Sequence, residues 1–213
     1  MSSKLVRLVF ACSCLAMVSK VVHAQEASES RKGWLHLGVA HIDFHPKADV
    51  SIGGGPFGPI TDVRVQNNQA VVVDVGYELA PGWIASVLVG TPPRTTLTSA
   101  SFGGDLGRVR YGSLVFSVHY HFGLGKLRPY VGGGAGYAVM LNSKDASLRD
   151  LNVDNAWAPA AIVGVEYPFS RTLSAYLDVR KLWLRTHATA AGGVRANLRL
   201  DPVIVSAGIG LRF

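Results

Sequence analysis

Ser117, His119 and His121 are the first residues whose types and spacing could do chemistry. A serine nucleophile needs a base within hydrogen-bond reach and a third group that orients the base. Glu166, Asp74, Glu78 and Asp178 are the carboxylates available for that third place. Two imidazoles on alternate residues also suit one metal ion, yet two ligands fall short of a closed site, and spacing sets no further histidine beside them. A polar lining satisfied by water or by a carboxylate is the competing reading of the pair. Gly53, Gly55 and Gly58 match G-x-G-x-x-G, which binds a dinucleotide only between a strand and a helix. Pro56 and Pro59 interrupt the segment and no helical pattern follows, so it reads as a flexible external loop. None of these groups reaches the standard of a catalytic constellation, a metal site or a cofactor cradle.

The N-terminus says where such residues would work. Lys4 and Arg7 precede and enter an apolar stretch from Leu5 to Val18, and Val22-His23-Ala24 offers small or short apolar residues where a signal peptidase reads. Residues 1–24 read as a secretory signal peptide cut after Ala24, leaving residues 25–213 as the working chain. Ser13, Ser19 and Lys20 interrupt the stretch, which a membrane-spanning helix of roughly 20 apolar residues would not tolerate. Cys12 and Cys14 both fall in the removed part, so disulfides and thiolate metal sites are excluded. A lipid anchor on Cys12 is opposed by bulky Phe10. Cutting removes Lys4, Arg7 and Lys20 and no acid, which lowers the formal charge from +7 to +4. With no Lys/Arg cluster in an exported chain, nucleic acid is not expected as a partner.

The elements that must position these side chains are strands. Leu114, Phe116, Val118, Tyr120 and Phe122 alternate with Val115, Ser117, His119 and His121, and Val203, Val205, Ala207, Ile209, Leu211 and Phe213 alternate with Ile204, Ser206, Gly208, Gly210 and Arg212. Period two marks strands with one apolar face. Similar segments at about 33–44, 68–78, 83–91, 128–141, 157–167 and 173–184 bring the count to eight. The connections run long, short, long, short, long, short, long, at 45–67, 79–82, 92–110, 123–127, 142–154, 168–172 and 185–202. That alternation, with Tyr77, Trp83, Tyr120, Phe122, Tyr130, Tyr167 and Phe213 near one level, predicts an all-β fold. It is an eight-stranded antiparallel transmembrane β-barrel with short periplasmic turns and longer extracellular loops. A soluble sandwich would explain the alternation but not the other features.

Parity then sorts the faces. Asp74, Glu78, Glu166, Asp178, His36, Arg180 and Arg212 point inward, where opposite charges persist only when paired. So do small or apolar Gly38, Ala40, Val72, Gly76, Gly132, Gly134, Gly136, Ala160, Ile162, Gly164 and Gly208. An eight-stranded barrel is narrow enough for its own side chains to fill, which makes a plugged barrel one reading. The small residues favour a channel lined by Val72, Gly132, Gly134, Gly136, Ile162, Ser117 and His119, since apolar solutes pass where no strong hydrogen bond holds them. Arg94, Arg108, Arg110, Arg185, Arg195 and Arg199 lie in or beside external loops, at the level of lipopolysaccharide phosphates. Phe213 closes the chain as a signal for the barrel assembly machinery.

Arg128-Pro129-Tyr130-Val131-Gly132 with Gly134 and Tyr137, Asp154-Asn155-Ala156-Trp157 leading to Gly164-Val165-Glu166-Tyr167, and Asp201-Pro202-Val203 through Gly208-Ile209-Gly210-Leu211-Arg212-Phe213 resemble the OmpW family of small outer-membrane barrels. Weaker echoes are Trp34 to Asp43 and Trp83 to Pro92. The resemblance implies a cofactor-free, non-enzymatic, porin-like barrel in the cell outer membrane that admits small hydrophobic molecules passively. It also puts Trp157 forward as a gate. Parity counted back from Tyr167 sets Trp157 on the lipid face instead, unless Pro159 marks a bulge that turns it inward. Two other roles remain open: a structural, adhesive or stress-related barrel acting through its external loops, and a lipid A-modifying enzyme built on Ser117 and His119. The second requires acyl chains to reach a pair that faces the lumen.

Overall fold

The computed structural model describes residues 32–53, 55–60, 64–100, 104–123, 126–145 and 152–213. The signal peptide expected at residues 1–24 lies outside them. Fifteen strands follow one another: β1 (Gly33–Asp43), β2 (Lys47–Ile52), β3 (Gly55–Ile60), β4 (Arg64–Val65), β5 (Asn68–Ala80), β6 (Trp83–Gly90), β7 (Arg94–Ser99), β8 (Gly104–His121), β9 (Arg128–Asp145), β10 (Asn152–Val153), β11 (Ala156–Pro168), β12 (Leu173–Leu182), β13 (Arg185–Ala190), β14 (Val194–Arg199) and β15 (Val203–Arg212). Eight of them, β1, β5, β6, β8, β9, β11, β12 and β15, pair antiparallel, each with the next, and β15 pairs with β1 to close the barrel. Closure gives each of the eight barrel strands a partner on both sides, which a bilayer interior demands.

The alternation read from the sequence decides the faces. Val115, Ser117, His119 and His121 are buried, while Phe116, Val118 and Phe122 are exposed. Leu37, Val39, Val75, Val131, Val163, Leu177 and Ile209 cover the rest of the outside. Tyr130 departs from the expected aromatic belt: it is 1 % exposed and turns inward to stack on His121, with ring centroids 4.6 Å apart. The short connection at 79–82 turns on Gly82, whose φ of +79° favours glycine.

The long connections are more regular than a loop reading allows. β10, β13, β14, β2 and β3 form a second, five-stranded antiparallel sheet, and β4 and β7 extend the wall beside β8. The glycine segment at Gly53, Gly55 and Gly58, expected to be a flexible loop, forms part of the β2–β3 hairpin, and Pro56 and Pro59 lie in β3 at the sheet edge. An edge strand tolerates proline because its outward N–H groups need no partner. β8 begins at Gly104, so the connection expected at 92–110 is largely strand.

Candidate functional site

The barrel interior divides into two parts. Toward the short turns it is polar and filled. Arg180 donates to Asp178 at 2.9 Å and to Asp74, Ser206 donates to Asp178 at 2.7 Å, and Tyr130 donates to it at 3.2 Å. Arg180 comes from β12 and Asp74 from β5, so the cluster spans the lumen. A second group joins Arg212 to Glu166 at 2.9 Å, and His121 stands 3.6 Å from the same carboxylate oxygen. Trp34 and Tyr176 both pack against His36, at centroid distances of 3.7 and 3.8 Å. The lumen charges Asp74, Glu166, Asp178, Arg180 and Arg212 are thus brought together in paired sets. Glu78 is not among them: it is half-buried, and its carboxylate accepts the Gly82 N–H at 3.0 Å, tying the short turn.

The channel-lining candidates do not border open space there. A Cβ at Gly134 would run into the Phe116 carbonyl, and one at Gly132 into the Val118 carbonyl and the His119 side chain. These glycines let β8 and β9 approach closely. Gly164 gives way to the Tyr130 ring, Gly38 to the Tyr176 hydroxyl, and Gly136 faces Leu182. Val72 and Ile162 are buried at 3 % and 2 % exposure, with Leu88 and Val115 similarly enclosed. Parity gives the direction of each side chain correctly, but it carries no information on how near the facing atoms are.

Ser117 and His119 share the interior without forming a nucleophile and base. The Ser117 hydroxyl meets Ser86 at 2.9 Å, and Ser86 is the group near His119 Nε2, at 3.3 Å. His119 Nδ1 lies 2.9 Å from His121 Nε2, so the two imidazoles bond each other. No group of three His, Cys, Asp or Glu placed to hold a metal occurs among the described residues.

Trp157 faces outward, 62 % exposed, with its ring 4.6 Å from Tyr137. The inward gate would need a bulge at Pro159, and there is none: β11 and β9 pair without a shift from Ala156–Ala138 to Glu166–Arg128. The physical reason lies in the ladder. The Pro159 carbonyl accepts Trp183 N on the β12 side, and in an antiparallel strand a residue's N–H points the same way as its C=O. Regular pairing with β12 has already ended at Ala160–Leu182, so the missing donor disturbs nothing.

Toward the long connections the interior opens into an apolar pocket that is continuous with the outside. Ile42 and Phe44 line one side, Leu97, Val109, Tyr111 and Ser113 another, and Gly136, Ala138 and Met140 a third; Leu184, Leu198 and Leu200 close the ring. Among the sequence-derived lining residues Gly136 alone borders it. Some of the missed residues, among them Leu97, Val109, Leu198 and Leu200, come from segments read as loops; others, such as Ile42, Tyr111 and Met140, come from the ends of expected strands. A signal was present: Leu184, Thr186 and Ala188, and Ala196, Leu198 and Leu200, alternate with polar neighbours. The external arginines lie outside this pocket, with Arg94 paired opposite Arg110 and Arg185 opposite Arg199.

Known proteins share this arrangement. The sequence pattern of the OmpW family matches residues 34–213. The dibenzothiophene metabolism operon protein PahQ of Pseudomonas aeruginosa is 31 % identical over 220 aligned positions, covering 100 % of both chains. Outer membrane protein AlkL of Ectopseudomonas oleovorans is 30 % identical over 167 positions, 75 % of this chain and 72 % of its own. The solved structure of AlkL in lipid bilayers superposes with a TM-score of 0.67 at 25 % identity, covering 89 % of this chain and 94 % of AlkL. That of OprG from Pseudomonas aeruginosa reaches 0.78 at 16 % identity over 87 % and 97 %, a likeness of fold. With the closed barrel and apolar belt, these matches show that the chain belongs to the OmpW family and is an outer-membrane β-barrel protein.

Proposed function

We propose that this barrel takes small hydrophobic molecules from the cell exterior into its extracellular pocket and releases them passively, sideways, into the outer membrane. The observation that carries the reading is an apolar pocket above a filled polar floor. Displacing water from such walls favours an apolar guest and disfavours a charged one. Axial passage would require Arg180, Asp74 and Asp178 to separate in a buried setting, at a cost of several kcal/mol. Sideways release leaves that cluster intact, and the wall beside the pocket is built from small residues. Gly136 and Ala138 in β9 stand opposite Ala158 and Ala156 in β11. Regular β9–β11 pairing ends at Ala138, and Met140 N turns to the Asn155 side chain at 2.7 Å. Tyr137 belongs to the pocket wall and also packs against exposed Trp157, which gives a leaving guest aromatic contacts on the membrane side.

The name of the PahQ relative points to a class of guest. Dibenzothiophene is a flat, apolar, fused-ring molecule, and the mixture of branched side chains with Phe44 and Tyr111 suits such a shape. Retention of radiolabelled dibenzothiophene by nanodiscs tests this binding. Discs carrying the protein are expected to hold more than empty discs, and Ala138→Phe, which projects a ring into the pocket, should remove the excess. Equal retention by filled and empty discs would overturn the proposal.

A further inference from the structure

Three cations stand side by side on the outer face of the extracellular sheet. Arg185 in β13 is directly opposite Arg199 in β14, and Arg199 is directly opposite Lys47 in β2. All three side chains are exposed. Directly opposed residues bring their Cβ atoms within about 4.5–5.5 Å, and like charges so placed repel. No ion pair among the described residues relieves them, since the four that occur lie in the barrel interior. Asp49, one row farther out, and Asp43 and Asp201, nearer the membrane, form no pair with the row.

The height of the row matters as much as its charge. The 10 residues of β12, at ~3.3 Å each and tilted by ~40°, rise about 25 Å, the height of the apolar band of such barrels. Exposed Leu173 and Leu177 cover its outer face, and exposed Trp183 follows its upper end. Aromatic residues mark the membrane interface. Arg185 is the next outward side chain along the chain. The cations therefore occupy the first level above the hydrocarbon, where the phosphates of lipid A lie in the outer leaflet.

We infer that Lys47, Arg199 and Arg185 form a binding site for the phosphate groups of lipopolysaccharide. At ~4.8 Å per strand the row spans about 10 Å, so one phosphate can be shared by two neighbours. The guanidinium forks of Arg185 and Arg199 hold phosphate oxygens bidentately, with Lys47 as a point charge at the end. A bound anion removes the repulsion that the ladder imposes.

The test uses the outer-membrane chain refolded in detergent micelles. It is titrated with lipid A carrying both phosphates, with dephosphorylated lipid A, and with inorganic phosphate. The phosphorylated form should bind at least about tenfold more tightly than the dephosphorylated form. Lys47→Ser, Arg185→Ser and Arg199→Ser combined should abolish that preference, and Arg199→Ser alone should weaken it. Arg195→Ser, two rows farther out, should leave it unchanged. Heat-shifted gel migration checks that each variant forms the barrel. Equal binding of the two lipid A forms, or a preference that survives the triple substitution, would overturn the inference. So would inorganic phosphate binding as tightly as lipid A, which would mark a free-phosphate site.

Discussion

Arg180 is the residue on which the barrel interior depends. It is fully buried, and it answers two carboxylates, Asp74 and Asp178, from different strands. Arg180→Met leaves both anions without a counter-charge and should destabilise the barrel by about 3–5 kcal/mol, read from urea unfolding in micelles. Adding Asp74→Asn and Asp178→Asn removes those charges, so the triple variant should recover most of the loss. Gly134 makes a second case. Sequence parity alone suggests that a bulky residue there narrows a path, whereas the facing Phe116 carbonyl leaves no room even for a methyl group. Gly134→Ala should therefore reduce the folded fraction, seen as lost heat-modifiable migration, and cost about 1–3 kcal/mol in whatever folds. The inward charges were legible in the sequence because alternation gives a side chain's direction. Their partners were not, because Asp74 and Arg180 lie 106 positions apart.

At the level of elements, strands with a strong contrast between faces read plainly. Along β8 the buried polar Ser117, His119 and His121 alternate with exposed Phe116 and Val118 and partly exposed Tyr120, and the eight barrel strands follow from such segments. β13 and β14 were harder to see, because each has six residues, fewer than a membrane crossing needs, and their inward Thr186, Ala188 and Ala196 are small rather than strongly apolar. Pro159 was ambiguous for another reason: whether its missing donor forces a bulge depends on where the neighbouring ladder ends, which the strand's own residues do not encode. The unbroken register places Trp157 outside. Brominated lipid should accordingly quench its fluorescence in a variant that keeps Trp157 as its one tryptophan. Trp157→Ala should leave pocket binding of dibenzothiophene within about twofold, since a lipid-facing ring contributes to anchoring at the interface rather than to the pocket floor. A Trp157 shielded from brominated lipid would contradict the outward placement.

At the scale of the whole molecule, the closed ring of strands, the apolar belt and the polar lower interior make a barrel that is sealed along its axis and open to the outside. The pocket could not be read from any one segment, because Ile42, Leu97, Val109, Met140, Leu184 and Leu198 come from across the chain and meet only after the barrel closes. Its position above a filled floor turns the question from the width of a pore to the permeability of a wall. The decisive measurement is the rate at which radiolabelled dibenzothiophene enters vesicles whose outer leaflet is lipopolysaccharide. Vesicles carrying the wild-type barrel should load at least several-fold faster than protein-free ones, and Ala138→Phe should return the rate to the protein-free value. Loading no faster than without protein, or a rate indifferent to Ala138→Phe, would contradict uptake through the extracellular pocket.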